Sequence, residues 1–488
     1  MGIDTTSEAT AAFSGRQPSP GLIRGLSFID AVLLIIGGVV ASAIFLTPTD
    51  VATALPSPIW FFFAWIAGGI VSLMAGFAFG ELGAMFPEAG GQYVYLREAF
   101  GDFFAFQYGW LMFVAGSSGG IASIAVGFAR YLGKAIPVLA SEHVLFTITG
   151  IAWNGGHIGT RPWSFTTGDL LATASILLLT FINVRGLRPA VIFQNVSTWL
   201  KYAAFAAFLM FGFAIGKGSW SHFTLEGIGT PFHAGGFYPF MSALGVAFIA
   251  VFWTYDGWVY VSWTAGEVRN PERTIPRSLV LGIGIVMALY LVMNAVYVYA
   301  MPVPQIAQEG TLAQAAATTL FSPSIAVSLS FVIAISALGG CSSCVLAGAR
   351  ISYAMGRDAL FFKSMGDVHP RFRTPHIALI AQGVWSAAIA LTGTYDQLFT
   401  YTMFGMVLSY VACVVALFVL RRSQPNTRRP YRCFGYPWLP GLYVVLIGGW
   451  ILNTVVERPS EAFSCIAVMA IGVPGYLYWK RSGNTKAI

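Results

Sequence analysis

Residues 37–48 read GGVVASAIFLTP. They sit inside a long apolar run that begins near Leu26, where an uninterrupted membrane helix would be expected. Instead the stretch carries paired glycines (Gly37, Gly38), a patch of small residues (Ala41, Ser42, Ala43) and Pro48. Hydrocarbon offers no partner to a freed N–H or C=O, so an interruption at this depth is costly unless it lines a protein cavity. The sequence therefore predicts a helix that is broken for use.

Working outward, the whole chain reads as membrane-embedded. Of its 488 residues, 56% are hydrophobic and only 10% are charged, against about a quarter charged in a typical soluble domain. Mean hydropathy is +0.71. Twelve apolar blocks are long enough to cross a bilayer: 27–54, 59–83, 103–131, 168–184, 190–215, 239–265, 277–300, 324–355, 376–394, 397–420, 437–456 and 460–479. These are solid blocks, not the alternating segments of about ten residues that mark a membrane β-barrel. The fold class is all-α integral membrane with twelve transmembrane helices. Residues 1–24 are small and polar, without the pattern of a signal peptide, and read as a disordered cytoplasmic tail.

Orientation follows from basic residues. Twenty-one of the 27 Lys and Arg fall on the side shared by both termini; five (Arg130, Lys134, Arg161, Lys217, Arg458) fall on the other, and Lys201 lies within a span. Both termini are predicted cytoplasmic, and the net charge of +7 expresses this bias without calling for a nucleic-acid partner. None of the five cysteines suggests an extracellular disulfide framework. Cys341 and Cys344 fall in span eight beside Ser336, Gly340, Ser343 and Ala347, a pattern read as helix packing and not as a metal site. All six histidines are placed in loops. No phosphate-binding loop, zinc-protease motif or nucleophile elbow occurs, so neither an enzyme nor a cofactor is expected. No charged or carbonyl ring repeats as in an ion channel.

The sixth span, FIAVFWTYDGWVYVSW (248–263), is also interrupted. Its middle holds Thr254, Tyr255, Asp256 and Gly257, and an Asp within a membrane marks function by default. Asp256 is expected to cap the helix that resumes after it. Interrupted segments five spans apart point to an inverted-repeat transporter with substrate at the breaks. There, exposed amides favour anions and exposed carbonyls favour cations, which suits a zwitterion. In span five, Gln194, Ser197, Thr198 and Lys201 share one helix face. Lys201 reads either as a fixed charge beside the site, where another carrier would place sodium, or as a tether between helices; the two are compatible.

With these residues in view, the chain resembles the amino acid–polyamine–organocation superfamily, in particular its L-type amino acid transporter branch in bacterial single-chain form. The resemblance covers about residues 25–480. It rests on ASAIFLTP (41–48), ELGAMFPEAGGQYVYLREAFG (81–101), YGW (108–110), FWTYDGW (252–258), EVRNPERTIP (267–276), the Gln194 to Lys201 interval, GARISYAMGRDALFF (348–362) and HPRFRTP (369–375). It implies a five-plus-five inverted-repeat (LeuT-type) core with helices 1 and 6 broken, over residues 25–420. Two additional helices follow at 421–480 and a cytoplasmic tail at 481–488. By position, it implies a substrate carboxylate on the amides of Ala41, Ser42 and Ala43. The ammonium would lie on carbonyls near Val39, Val40, Trp253 and Asp256, with Thr254 in the same break. Trp253 would close the site, and Lys201 would replace sodium. Alanines at 41 and 43 in place of the family's glycines, and Trp253 in place of the usual phenylalanine, imply a tighter loop and a smaller pocket. The span three–four loop (132–167) lacks the cysteine that links animal members to a heavy chain, so no disulfide-linked partner is expected.

The leading expectation is a sodium-independent carrier of small or neutral amino acids in the plasma (inner) membrane, working by exchange or proton coupling. A polyamine or cationic amino acid carrier using Asp256, and a non-transporting amino acid sensor, are the alternatives. Glu81, Arg97, Glu267 and Arg350 fall at inner span ends and read either as a gate of ion pairs or as ordinary solvated charges.

Overall fold

In a computed structural model, residues 21–41, 43–139, 143–154, 157–224, 236–392, 395–457 and 459–484 are described. Among these residues, the regular structure is helical except for one hairpin. In order, the elements are α1 (Phe28–Val39), α2 (Pro48–Ala54), α3 (Pro58–Met85), α4 (Gln92–Phe100), α5 (Asp102–Ala135, with one π turn at Met112–Gly116), β1 (Val144–Asn154) and β2 (His157–Thr166). Next are α6 (Thr167–Val184), α7 (Leu187–Ile215), α8 (Phe237–Tyr255), α9 (Tyr260–Trp263), α10 (Pro271–Ala300), α11 (Val303–Ile306) and α12 (Leu312–Leu320). The chain ends with α13 (Pro323–Arg357), α14 (His376–Thr392), α15 (Tyr395–Ser423), α16 (Trp438–Glu457) and α17 (Pro459–Asn484). Among the described residues, ten helices are long and apolar enough to cross a bilayer, and α1 and α14 are shorter apolar helices. The chain is a multi-pass membrane protein.

Local chemistry sets the helix starts. Ser27 and Asp30 form a capping box at α1: the Ser27 hydroxyl accepts from the Asp30 amide at 3.2 Å, and the Asp30 carboxylate accepts from the Ser27 amide at 2.9 Å, satisfying donors that the first helical turn leaves free. Thr166 and Asp169 repeat the device at α6. Proline opens α2, α3, α10 and α13, where its missing N–H costs nothing.

Packing then follows the small residues. Along α3, a side chain at Gly76, Gly80 or Gly83 would press on Ile283, Pro276 or Ile275 of α10, so glycine permits the close approach of these two helices. In turn, α13 runs along both α5 and α7 and touches α1 and α9. Cys341 and Cys344 are buried, with their sulfurs near the Ile121 and Ser117 carbonyls of α5, as a packing face requires.

Two details differ from the sequence reading. The segment 144–166 was expected only as loop, yet its strands pair antiparallel, with Ile148 opposite Trp163 and Asn154 opposite His157. His157 therefore lies in a strand, and His376 begins α14.

Candidate functional site

Helix α1 stops at Val39. The Ala41 amide turns back to the Val39 carbonyl at 2.9 Å, a single 3₁₀ turn covers Ala43–Phe45, and α2 begins at Pro48. Helix α8 likewise stops at Tyr255. Asp256 is extended (φ −69°, ψ 159°), and a turn leads through Val259 into α9 at Tyr260. Asp256 thus ends α8 and does not cap α9. Its carboxylate accepts instead from the Tyr410 hydroxyl and the Gly257 amide.

The two stops touch through glycines. Gly257 has φ +106°, a conformation that L side chains rarely adopt, and a Cβ there would lie 2.9 Å from the Gly38 carbonyl carbon. A Cβ at Gly38 would lie 2.6 Å from the Tyr260 ring. Tyr290 of α10 spans the junction, its hydroxyl 3.0 Å from the Val39 carbonyl and 2.9 Å from that of Thr254. The Thr47 and Thr254 hydroxyls share a 2.5 Å hydrogen bond. Neither Tyr290 nor Thr47 was singled out in the sequence, because nothing in their own neighbourhoods distinguishes them from packing residues.

Span five supplies the third wall. Gln194, Ser197, Thr198 and Lys201 are all buried on one face of α7. Gln194 Nε2 donates to the Leu33 carbonyl at 2.8 Å. Lys201, 1% exposed, donates through Nζ to the Val40 carbonyl and, at 3.3 Å, to that of Gly37. The ammonium thus sits on carbonyls left free where α1 ends, the end of a helix that favours a cation.

Alanine fits the first break without strain. Neither Ala41 nor Ala43 has a positive φ, and both are buried. Gly340 of α13 faces Ala41: a Cβ at 340 would come within 2.8 Å of the Ala41 methyl. The space left by one glycine holds the methyl of the other position. Ser42 lies outside the described residues. Trp253 is half-buried on the last turn of α8, and its carbonyl accepts the Asp256 amide at 3.1 Å. Asp256 also borders a cavity of about 20 Å³, room for roughly one water molecule, together with Ser72, Tyr410 and Tyr443.

The four charges expected near the inner ends do not form one cluster. Glu267 and Arg350 pair bidentately at 2.7 and 2.9 Å, with side chains 0% and 1% exposed, so they are not solvated surface charges. Glu81 pairs with Arg421 at 2.5 Å, lies 3.3 Å from Arg429 Nε, and accepts the Cys433 amide at 2.6 Å. Arg97 pairs with Asp358 at 2.6 Å and Glu98 at 2.9 Å. The partners Asp358, Arg421 and Arg429 are distant in sequence and carry no local signal.

Long apolar helices, with two helix stops lying against each other in the interior, suit a membrane carrier for small molecules. The chain belongs to the amino acid permease family, whose sequence model matches residues 26–474. It is similar to the serine/threonine exchanger SteT of Bacillus subtilis, 27% identical over 93% of this chain and 96% of that one. It is also similar to the b(0,+)-type amino acid transporter 1 of Mus musculus, 26% identical over 94% of this chain and 89% of the relative. A third relative is the large neutral amino acids transporter small subunit 2 of Mus musculus, 25% identical over 98% of this chain and 85% of the relative. The family and these relatives are transporters, not enzymes.

Proposed function

We propose that this protein is a sodium-independent carrier of small neutral amino acids, acting by alternating access in the plasma (inner) membrane with both termini cytoplasmic. Twelve spans are counted by adding α1 (with α2) and α14 to the ten longest helices, α9 continuing the span that α8 begins. Spans one to five and six to ten would form the inverted repeats over 25–420, with two further helices over 421–480 and short tails at 1–24 and 481–488. The single observation that carries the reading is the meeting of the two interrupted helices at Gly38 and Gly257, with Lys201 on the carbonyls of Gly37 and Val40.

The substrate carboxylate would lie on amides of the 41–43 segment that follow Ala41, since the Ala41 amide itself turns back to the Val39 carbonyl. The Val39 carbonyl already accepts from Tyr290 and from the Ala41 amide, and the Val40 carbonyl accepts from Lys201. The ammonium is therefore assigned mainly to the Asp256 carbonyl and to the remaining lone pair of the Trp253 carbonyl, which already accepts the Asp256 amide, with Thr254 beside them. Trp253 would close the site from outside, and the buried Glu267–Arg350 pair would close it from inside. Lys201 would supply the positive charge for which a sodium ion would otherwise be required. Small substrates are favoured by Ala41, Ala43 and Trp253. The printed name of SteT, an exchanger of serine and threonine, supports exchange of small hydroxylated residues. No disulfide-linked partner is invoked.

Uptake into sodium-free liposomes tests the reading. Labelled serine, alanine, leucine, phenylalanine, lysine and glutamate would be offered with and without unlabelled amino acid inside. Serine or alanine uptake that needs internal amino acid and ignores sodium and a proton gradient is expected. Uptake that needs sodium would overturn the central claim. A second reading, carriage of cationic amino acids or polyamines, is favoured by one observation: Asp256 is buried and makes no ion pair among the described residues. Asp256→Asn separates the two, since loss of lysine uptake alone would support the cationic carrier, while unchanged selectivity supports the neutral one.

A further inference from the structure

At the arginine-rich end of the molecule, four segments of chain meet around a cavity of about 660 Å³. They are the entry to α1, the connection between α6 and α7, and the residues just before α10 and just before α14. Arg185, Arg188, Arg269, Arg371 and Arg373 line the cavity together with a single carboxylate, Asp30. That carboxylate is already engaged: it accepts from the Ser27 hydroxyl at 2.7 Å, the Ser27 amide at 2.9 Å and Asn195 Nδ2 at 2.7 Å. Among the described residues, none of the five arginines makes an ion pair, whereas Arg97, Arg350 and Arg421 are all neutralised by carboxylates. Arg185 rests over the Phe181 ring and Arg371 over that of Phe372, contacts that leave their charge uncompensated. The Nε of Arg373 is buried and finds no hydrogen-bond partner among the described residues.

Five like charges gathered around one carboxylate, which acts electrostatically on Arg269, are left in excess and repel one another. The planar fork of a guanidinium matches the oxygens of phosphate two at a time, and basic pockets between membrane helices take anionic headgroups. We propose that this cavity binds a phosphate-bearing anion, bridging arginines from the α6–α7 connection, the segment before α10 and the segment before α14. The same chemistry is presented by the headgroup of an anionic phospholipid and by soluble phosphate. Binding here does not depend on what the protein carries, so its test is independent of the transport reading.

Thermal unfolding of the purified full-length protein in detergent, with phosphatidylglycerol, phosphatidylcholine or inorganic phosphate added, decides the matter. Phosphatidylglycerol is expected to raise the midpoint saturably where phosphatidylcholine does not, and added salt should weaken the effect. The double variant R188Q/R371Q, both exposed positions, should lose affinity by about tenfold or more. The charge-matched R422Q/R432Q, outside the cavity, should not. A saturable response to inorganic phosphate alone, lost in R188Q/R371Q, would also support the site and identify an aqueous source. Equal responses in wild type and R188Q/R371Q, or equal losses in the two double variants, would overturn it.

Discussion

Lys201→Met removes an ammonium while keeping much of the stem, so it separates charge from packing. The carbonyls of Gly37 and Val40 then lose a donor in a buried place, where an unsatisfied polar group costs about 1–3 kcal/mol. Transport in sodium-free liposomes should fall by about tenfold or more, the scale of losing one positioned charge, and Lys201→Arg should not restore it because the fork cannot occupy the site of a point charge. Wild-type uptake by Lys201→Met would leave the residue a tether only. At this scale the sequence was informative where chemistry is unusual: a lysine deep in a span and an aspartate within another. It was silent on Tyr290 and Tyr410, since a tyrosine on an apolar helix looks the same whether its hydroxyl bridges two breaks or merely packs.

Among elements, the tie between α13 and the segment after α9 invites a direct test. Arg350→Ala strands Glu267 in the interior, and breaking a buried pair on one side typically costs about 3–5 kcal/mol. The double change Glu267→Gln with Arg350→Met should recover most of that loss in detergent unfolding. If the pair is an inner gate, the double variant should also fail to hold substrate after uptake. Charge reversal at Arg350 with an unchanged transport rate would dismiss the gate. The interruptions themselves were legible because glycine, proline and aspartate are conspicuous in apolar surroundings. Their geometry was not: Asp256 ends one helix without capping the next, a choice set by Tyr410 from α15. The hairpin was hidden by its position in a loop, although Thr-Ile-Thr over 147–149 alternates and the Gly155-Gly156 pair that follows is a recognised hairpin signal.

For the molecule as a whole, composition and basic-residue bias speak to membrane residence and sidedness, because both are sums over many residues and survive local errors. All five cysteines are buried, so single introduced thiols can report orientation against a quiet background. Thr427→Cys, in the arginine-rich loop after α15, should react with an impermeant maleimide only from the cytoplasm. Thr147→Cys, on β1, should react only from outside, and labelling of both from one face would refute the assigned topology. Long-range ion pairs were not legible, since Glu81 and Arg421 meet only after the helices have been arranged. The contact between Gly38 and Gly257 has a mechanical consequence. Two main chains meet there with no side chain between them, so the joint has no rotamers to absorb play and passes a displacement from one helix to the other almost undiminished. Such a bearing cannot be re-tuned by small changes at the joint itself; a change of cargo has to be made in the walls around it.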